Sequence, residues 1–194
     1  MESKYCYWQF KDALPDSDRK KIKRIARKSG YVEASTKNSE QKKNKKDGKV
    51  RNTDVSFSND EYLYDTLTPF VYRANEDAGW KYDVDYFEGV QIARYRKNQH
   101  YSWHEDGRGD HFAAYAANAD DKNYIGKVRK LTLVACISNG YEGGDLEFAL
   151  HKPEEEENLI LQPKMEVGDI IVFPSYVSHR STAITKGTKY SVSM

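Results

Sequence analysis

The sequence predicts a mainly β protein with N-terminal helices and a double-stranded β-helix, or jelly-roll, core. Six short segments rich in Val, Ile, Leu or aromatic residues follow residue 89, separated by turns that contain Gly or Pro. Short strands at this spacing favour a jelly roll over a βαβ fold. An aromatic content of 13%, with 15 tyrosines, also favours β structure. The segments are, in order, GVQIARYR, KLTLVACIS, GDLEFAL, NLILQP, GDIIVFP and KYSVSM.

Length and composition suit one domain over residues 1–194, with helical support over about 1–88 and the jelly roll over about 89–194. Lys and Arg number 31 against 30 Asp and Glu, so the net charge of +1 gives no global signal for a polyanion partner. Two cysteines make no disulfide framework, which predicts a reducing compartment. The opening residues MESKYCYWQF lack a signal-peptide apolar run, and no later stretch could span a bilayer. We therefore expect a cytoplasmic protein without a membrane partner.

The first element in the chain is a helix predicted from about Asp16 to Ser29. Apolar residues at helical spacing, beginning with Ile22, give it one buried face. Asp16 or Ser17 is expected to cap its start, and Gly30 to end it.

A lysine-rich segment and a second helix follow. Thr36–Arg51 contains six lysines and one arginine and almost no apolar residue. We interpret it as a mobile, solvated loop, although such a segment could also touch a phosphate backbone. The second helix is predicted over about Asp60 to Glu76, where Pro69 would kink or divide it.

Two histidines and one carboxylate have the pattern of a metal site. His104 and Asp106 are two positions apart, so on a strand both side chains would project from one face. His179 lies on a later predicted strand, and two His with one carboxylate leave three positions open on Fe(II) for a co-substrate and O2. An H-x-D pair also arises by chance, and a zinc site that adds Asp110 and His111 is an alternative.

A lysine near the end of the chain adds a second feature. Lys189 follows His179 by ten positions, with Ser191 two positions further on. A buried cation there could pair with the distal carboxylate of 2-oxoglutarate. A plain hairpin at Lys186-Gly187 would point His179 and Lys189 to opposite faces. A jelly roll removes this conflict, because consecutive strands belong to opposite sheets and both can face the lumen.

The region from about Val50 to Ser193 resembles the prolyl 4-hydroxylase-like, PKHD-type branch of the Fe(II)/2-oxoglutarate-dependent dioxygenases. The similar segments are KVRNTDVSF, QIARYRKNQHYSWHED, KLTLVACIS with YEGGDLEF, and VGDIIVFPSYVSHRSTAITKGTKYSV. The resemblance implies Fe(II), 2-oxoglutarate as co-substrate, and O2, with ascorbate as a candidate supporting reductant. It also implies hydroxylation of a substrate with release of succinate and CO2.

The resemblance further implies a role for individual residues. The metal positions match His104, Asp106 and His179, and no catalytic residue is expected beyond the metal centre. The co-substrate positions match Lys189, Tyr95 and Tyr101, with Ser191 as a further hydrogen-bond donor.

The chain departs from the family pattern at two positions. Asn98 stands where the family has glycine, and asparagine tolerates the left-handed conformation such a bend needs. Cys136 stands where some relatives carry a polar or tyrosine contact to the co-substrate.

Three neighbouring features also yield expectations. The long loop Gly107–Arg129 is expected to be mobile and to order over bound substrate. Trp103 is expected in the core, and the Gly143-Gly144 pair in a tight turn.

Three functions follow from these residues. The leading one is hydroxylation of a prolyl or other side chain in a peptide or protein. The second keeps the chemistry but moves it to a nucleic-acid base or a free small molecule. The third is a non-catalytic, metal-binding jelly-roll module.

Overall fold

A computed structural model describes most of the chain. Its strands and helices match the spacing of apolar residues in the sequence. The described residues are 5–34, 49–106, 114–115, 122–151 and 158–194. The helices are α1 (Asp16–Ser29), α2 (Glu61–Asp77) and a 3-10 turn (Lys122–Tyr124). The strands are β1 (Trp8–Phe10), β2 (Val32–Glu33), β3 (Arg51–Asn52), β4 (Asp54–Ser58), β5 (Val90–Tyr95), β6 (His100–His104), β7 (Leu131–Cys136), β8 (Glu142–Gly143), β9 (Leu146–Leu150), β10 (Leu159–Leu161), β11 (Ile170–Pro174), β12 (Ser178–Ser181), β13 (Ile184–Lys186) and β14 (Lys189–Ser193).

Helix α1 has the predicted bounds but not the predicted start. Its N-cap is Pro15, which makes no side-chain capping hydrogen bond, so the prediction of Asp16 or Ser17 was wrong. Asp16 lies instead in the first turn, where a carboxylate interacts favourably with the helix dipole. Gly30 ends the helix at φ 83°, and its N–H donates to the carbonyl of Ala26, as the glycine predicts.

Helix α2 is capped by Asp60, whose side chain accepts a hydrogen bond from the N–H of Tyr62. Pro69 lies within the helix and does not divide it. Leu63, Leu67 and Val71 recur every four residues on the buried face. That periodicity, rather than the proline, decides the length of the helix, because the buried stripe packs on the sheet on both sides of Pro69.

The strands form two main antiparallel sheets, which confirms the predicted mainly β fold with a jelly-roll core. A seven-stranded sheet has the order β1-β11-β7-β14-β5-β4-β2, and a five-stranded sheet has the order β10-β9-β12-β6-β3. β8 and β13 make a separate two-stranded ribbon. Helix α1 packs against β4, and α2 packs against β1 and β11, so both helices cover the larger sheet.

The topology removes the conflict between His179 and Lys189. β12 carries His179 in the five-stranded sheet, where His179 pairs with His104. β14 carries Lys189 in the seven-stranded sheet, where Lys189 pairs with Tyr95. β13 leaves both sheets to pair with β8. The two residues therefore come from opposite walls and are both buried.

Several predictions concern residues outside the described ranges. Most of the lysine-rich segment Thr36–Arg51 falls there, as do Asp110, His111 and much of the loop Gly107–Arg129. Among the described residues, no helix combines the length and apolar character needed to cross a membrane.

Candidate metal centre

The two histidines and the aspartate of the H-x-D…H pattern meet at one point between the sheets. His104 ends β6, Asp106 follows two residues later, and His179 lies opposite on β12. One ligand atom from each lies within 4.8 Å of the other two. The Nε2 atom of each histidine is 3.8 Å from an Asp106 carboxylate oxygen. This spacing allows all three side chains to coordinate one ion.

Asp106 reaches this point from a bend rather than from the strand itself. β6 ends at His104, so the predicted arrangement of both ligands on one strand was wrong. The backbone N–H of Asp106 donates to the carbonyl of Ser175 at 2.9 Å. The Thr132 hydroxyl donates to Asp106 Oδ2 at 2.7 Å. Contacts to two other elements therefore fix the carboxylate.

The backbone sets the orientation of both imidazoles. The Nδ1 atom of His104 lies 2.8 Å from the carbonyl of Ser102, and Nδ1 of His179 lies 2.9 Å from the carbonyl of Val177. Because a carbonyl only accepts, each Nδ1 carries the proton. Each Nε2 then presents its lone pair to the shared point, as metal-ligating histidines commonly do.

The electrostatics of the site favour a cation. Burial, reinforced by the neighbouring His179, lowers the pKa of His104 to about 4. Burial alone would raise the pKa of Asp106, but His179, Arg129 and the Thr132 hydrogen bond together hold that pKa below its usual value. At neutral pH the site thus offers a neutral His104 and an ionised Asp106, the states that metal binding requires.

Tyr101 and Arg51 stack against the metal site on one side. The Tyr101 ring lies flat on the His104 ring, with 3.5 Å between their centroids. The Arg51 guanidinium lies 4.5 Å from the Tyr101 ring centre. Two of its nitrogens, Nε and Nη2, are buried and have no hydrogen-bond partner among the described residues. Sequence reasoning did not single out Arg51, although it lies within the segment KVRNTDVSF.

Arg129 was also not predicted as a site residue. Its guanidinium is paired with Glu88 and lies 3.8 Å from Asp106 Oδ1. The Tyr115 hydroxyl donates to the same Glu88 carboxylate at 3.0 Å. Arg129 and Glu88 thus connect Asp106 to Tyr115. Sequence spacing does not reveal this chain of contacts.

Lys189 is a buried cation with unused hydrogen-bond donors. Lys189 is only 7% exposed, and burial lowers the pKa of its ammonium group. The ammonium group donates to the carbonyl of Gly144 at 2.6 Å and makes no salt bridge with any described carboxylate. Two of its three N–H donors are therefore available to a ligand.

A small cavity, partly open to solvent, lies beside this ammonium group. Its walls include Cys136, Tyr141, Gly144, Lys189 and Ser191. The cavity thus contains two of the predicted co-substrate residues. Tyr95 is buried behind it, with its ring centre 5.8 Å from the Lys189 ammonium. Tyr101 stacks on His104 and does not line the cavity wall.

Strand β7 connects the metal centre to the cavity. Thr132, which bonds to Asp106, and Cys136, in the cavity wall, lie on the same face of this strand because they are an even number of positions apart. Four residues of strand span roughly 13 Å.

The Gly143-Gly144 pair does not form the predicted tight turn, because Gly143 lies in β8 and Gly144 is in the short connection from β8 to β9. Both glycines have positive φ, 74° and 70°. A Cβ on Gly144 would lie 2.3 Å from Ile184 Cδ1 and 3.1 Å from Lys189 Cδ. A side chain at this position would displace Ile184 and press on the side chain of Lys189. Asn98 likewise takes the left-handed conformation predicted for it, at φ 68°.

Trp103 is not in the core, contrary to the prediction. It is 36% exposed, and the Arg180 guanidinium lies 4.6 Å from its ring centre. Alternation along β6 does turn Trp103 away from His104. No described helix or sheet covers that outer face of the five-stranded sheet, so the side chain meets solvent. Arg180 is also paired with Glu147 at 2.7 Å.

Comparisons with known proteins agree with this geometry. The model of a family described as the 2OG-Fe(II) oxygenase superfamily matches residues 90–194. No curated protein matches the chain.

Solved structures with the same fold include three described as prolyl hydroxylases. The viral collagen prolyl hydroxylase of Paramecium Bursaria Chlorella virus-1 is 20% identical with a TM-score of 0.67, covering 98% of this chain and 94% of that one. The prolyl-4-hydroxylase of Pseudomonas putida is 16% identical with a TM-score of 0.63, covering 98% and 91%. A prolyl hydroxylase from Trichoplax adhaerens, bound to a hypoxia inducible factor peptide fragment, is 14% identical with a TM-score of 0.68, covering 98% and 82%. At these identities the likeness shows the fold alone.

Proposed function

The chain belongs to the 2OG-Fe(II) oxygenase superfamily, and on that premise we propose that it hydroxylates a prolyl or other side chain of a peptide or protein. One oxygen atom of O2 would enter a C–H bond of the substrate as a hydroxyl. The other would enter succinate as 2-oxoglutarate loses CO2. The observation that carries the proposal is the convergence of His104, Asp106 and His179 at one point, with the buried Lys189 on the opposite sheet.

His104, Asp106 and His179 would hold the iron. Two imidazoles and one carboxylate would leave positions on the ion open for the co-substrate and O2, a ligand set that suits Fe(II). The bound iron supplies the activation of O2 that this chemistry needs. Thr132 and Ser175 keep the carboxylate in place, and the carbonyls of Ser102 and Val177 keep both imidazoles in the ligating tautomer.

Lys189 would bind the distal carboxylate of 2-oxoglutarate. A carboxylate in a buried pocket needs a charged partner, because an isolated buried charge is strongly unfavourable. Lys189 has that charge and the donors to use it. Tyr95 and Ser191 stay proposed as hydrogen-bond donors near it, and Tyr101 as an aromatic contact beside the metal.

Aromatic side chains near the metal support a peptide as substrate. Tyr115 and Tyr124 pack together, with Tyr115 bonded to the Glu88 that pairs with Arg129. Extended, proline-containing peptides commonly dock on aromatic surfaces of this kind. The three similar structures named above are prolyl hydroxylases by description.

A substrate screen tests this proposal. Purified protein with Fe(II), 2-oxoglutarate and O2 would be given prolyl peptides, other peptides, nucleotides and small molecules. We expect a peptide to stimulate succinate formation and to gain the mass of one oxygen atom. Oxygen gain on a nucleotide or a free small molecule instead would favour the second function. If no compound stimulated succinate formation, and basal turnover were the same in Lys189→Ala, the chain would be a binding module.

A further inference from the structure

A single ammonium group does not satisfy a carboxylate in the cavity beside Lys189. An ionised carboxylate offers about four acceptor sites. Lys189 already gives one of its donors to the carbonyl of Gly144. A second donor from another element is therefore expected in the cavity wall.

Cys136 is a poor choice for this second donor. It is 2% exposed, and its Sγ lies 3.3 Å from the carbonyl of Ser138, to which the thiol donates. A thiol is a weak donor even when it is free. The side chain that faces the ligand from β7 thus contributes little to a carboxylate.

Tyr141 lines the same cavity, and its hydroxyl lacks a strong acceptor among the described residues. Its hydroxyl lies 3.2 Å from Cys136 Sγ, and that is its one hydrogen-bond contact among the described residues. Because the thiol proton faces Ser138, the tyrosine O–H can donate only to sulfur, which is a weak acceptor. A carboxylate oxygen would be a much stronger acceptor for this O–H.

The fold fixes Tyr141 in this position. Its ring packs with Ile184, Ala93 and Tyr95 in the apolar cluster between the sheets. The turn before β14 presses against its backbone, since a Cβ on Gly187 would lie 3.0 Å from Tyr141 Cα. The ring therefore reaches the cavity from a short loop that is held on two sides, next to the strand that carries Lys189.

We infer that Tyr141 donates a hydrogen bond to the distal carboxylate of 2-oxoglutarate and, with Lys189, selects 2-oxo acids that carry a second carboxylate. This inference rests on the proposed function. Tyr141 would then determine specificity for the co-substrate, because its hydroxyl supplies the hydrogen-bond donor that the Cys136 thiol cannot.

Direct binding to the Mn(II)-loaded protein tests the inference without turnover. Calorimetry would measure the Kd of 2-oxoglutarate, and separately of 2-oxobutyrate, which lacks the second carboxylate. A hydrogen bond to a charged group is worth at least about a tenfold change in affinity. Tyr141→Phe should therefore raise the Kd of 2-oxoglutarate about tenfold or more and leave those of 2-oxobutyrate and Mn(II) unchanged. Tyr72→Phe, the same change on an exposed face of α2, should change none of them.

The outcomes separate this inference from the proposed function. If Lys189→Ala weakens 2-oxoglutarate binding and Tyr141→Phe does not, the role of Tyr141 is wrong and the function stands. Equal weakening of both acids in Tyr141→Phe would also overturn it, because the hydroxyl would then act at the metal end or on the fold. A Cys136→Ala variant as weak as Tyr141→Phe would assign the effect to the thiol–hydroxyl pair instead. Failure of the wild-type protein to bind 2-oxoglutarate would overturn the function and the inference together.

Discussion

At the scale of single residues, the backbone controls the protonation of the metal site. In each imidazole, Nδ1–H donates a hydrogen bond to the carbonyl two residues earlier in the chain. Burial keeps His104 neutral, and its pKa is lowered to about 4. The free energy of unfolding of the metal-free protein is therefore lower at any pH at which the unfolded chain protonates His104 and the folded chain does not.

This linkage predicts a loss of stability in mild acid. Between about pH 6.5 and pH 4 the unfolded chain protonates His104 and the folded chain does not, so the free energy of unfolding should fall as the pH is lowered. The loss should reach up to about 3 kcal/mol. Asp106, whose pKa is lowered, loses its contribution only below the usual aspartate value of 3.8. Urea unfolding of chelator-treated protein at pH 7 and pH 4.5 would measure this loss in the free energy of unfolding.

The matched control for that measurement is His104→Gln, which removes the titrating group. This variant should lose less stability than wild type over the same pH interval. Identical losses in the two proteins would show that His104 does not carry the effect.

Lys189 gives the second prediction at this scale. Removing one partner of a buried charge pair costs roughly 3–5 kcal/mol, and each 1.4 kcal/mol is about tenfold in affinity. Lys189→Ala should raise the 2-oxoglutarate requirement at least about a hundredfold with iron affinity nearly unchanged. Lys189→Arg keeps the charge and should do much less harm. An unchanged requirement in Lys189→Ala would mean that the lysine serves another purpose.

Sequence reasoning singled out residues whose type and spacing within a short segment indicate chemistry. His104, Asp106, His179 and Lys189 stand out by type and spacing. Contacts that cross between elements were not visible, because sequence order does not fix which side chains meet across two sheets. Thr132 on Asp106 and Tyr141 on Cys136 are of that second kind.

At the scale of elements, the bounds of the helices could be predicted from apolar periodicity, whereas the pairing of the edge strand β1 could not. The bounds of α1 and nearly those of α2 follow from their apolar stripes. Strand β1 was not predicted, because its hydrogen bonds come from β11, more than 150 residues away, where Trp8 pairs with Val172. The cap of α1 was wrong because Pro15 takes the position that a side-chain cap would have filled.

The connection between β8 and β9, which contains Gly144, gives a prediction at this scale. Gly144→Ala would place a methyl group against Ile184 and Lys189, and overpacking of this kind costs about 1–3 kcal/mol. Gly140→Ala is the matched control, since Gly140 has a similar φ of 75° and nothing within 4 Å of an added Cβ. Both variants share the backbone strain of a positive φ.

We therefore expect Gly144→Ala to lose more stability and more 2-oxoglutarate affinity than Gly140→Ala. Chemical unfolding and calorimetric titration would measure the two differences. Equal effects would mean that the backbone conformation alone, rather than the position of Lys189, requires glycine at this position.

At the scale of the whole molecule, the jelly roll brings together residues that are far apart in the sequence. His104 and His179 come from neighbouring strands of the five-stranded sheet, and Lys189 comes from the opposite sheet. The helices cover the outer side of the seven-stranded sheet, and the cluster of His104, Asp106 and His179 lies on the inner side, between the sheets. The order and hydrophobic pattern of the strands predicted this fold. The full sheet order depends on long-range pairing and could not be predicted.

The most direct test of the metal site is optical titration without O2. Anaerobic Fe(II) with 2-oxoglutarate should give the wild-type protein a weak visible metal-to-ligand charge-transfer band. His104→Ala, Asp106→Ala and His179→Ala should each abolish the band while the proteins stay folded. Lys189→Ala should keep it at a raised 2-oxoglutarate concentration, because that variant retains all three ligands. A band that persists in both Asp106→Ala and His179→Ala would contradict the assignment of the iron to these three residues.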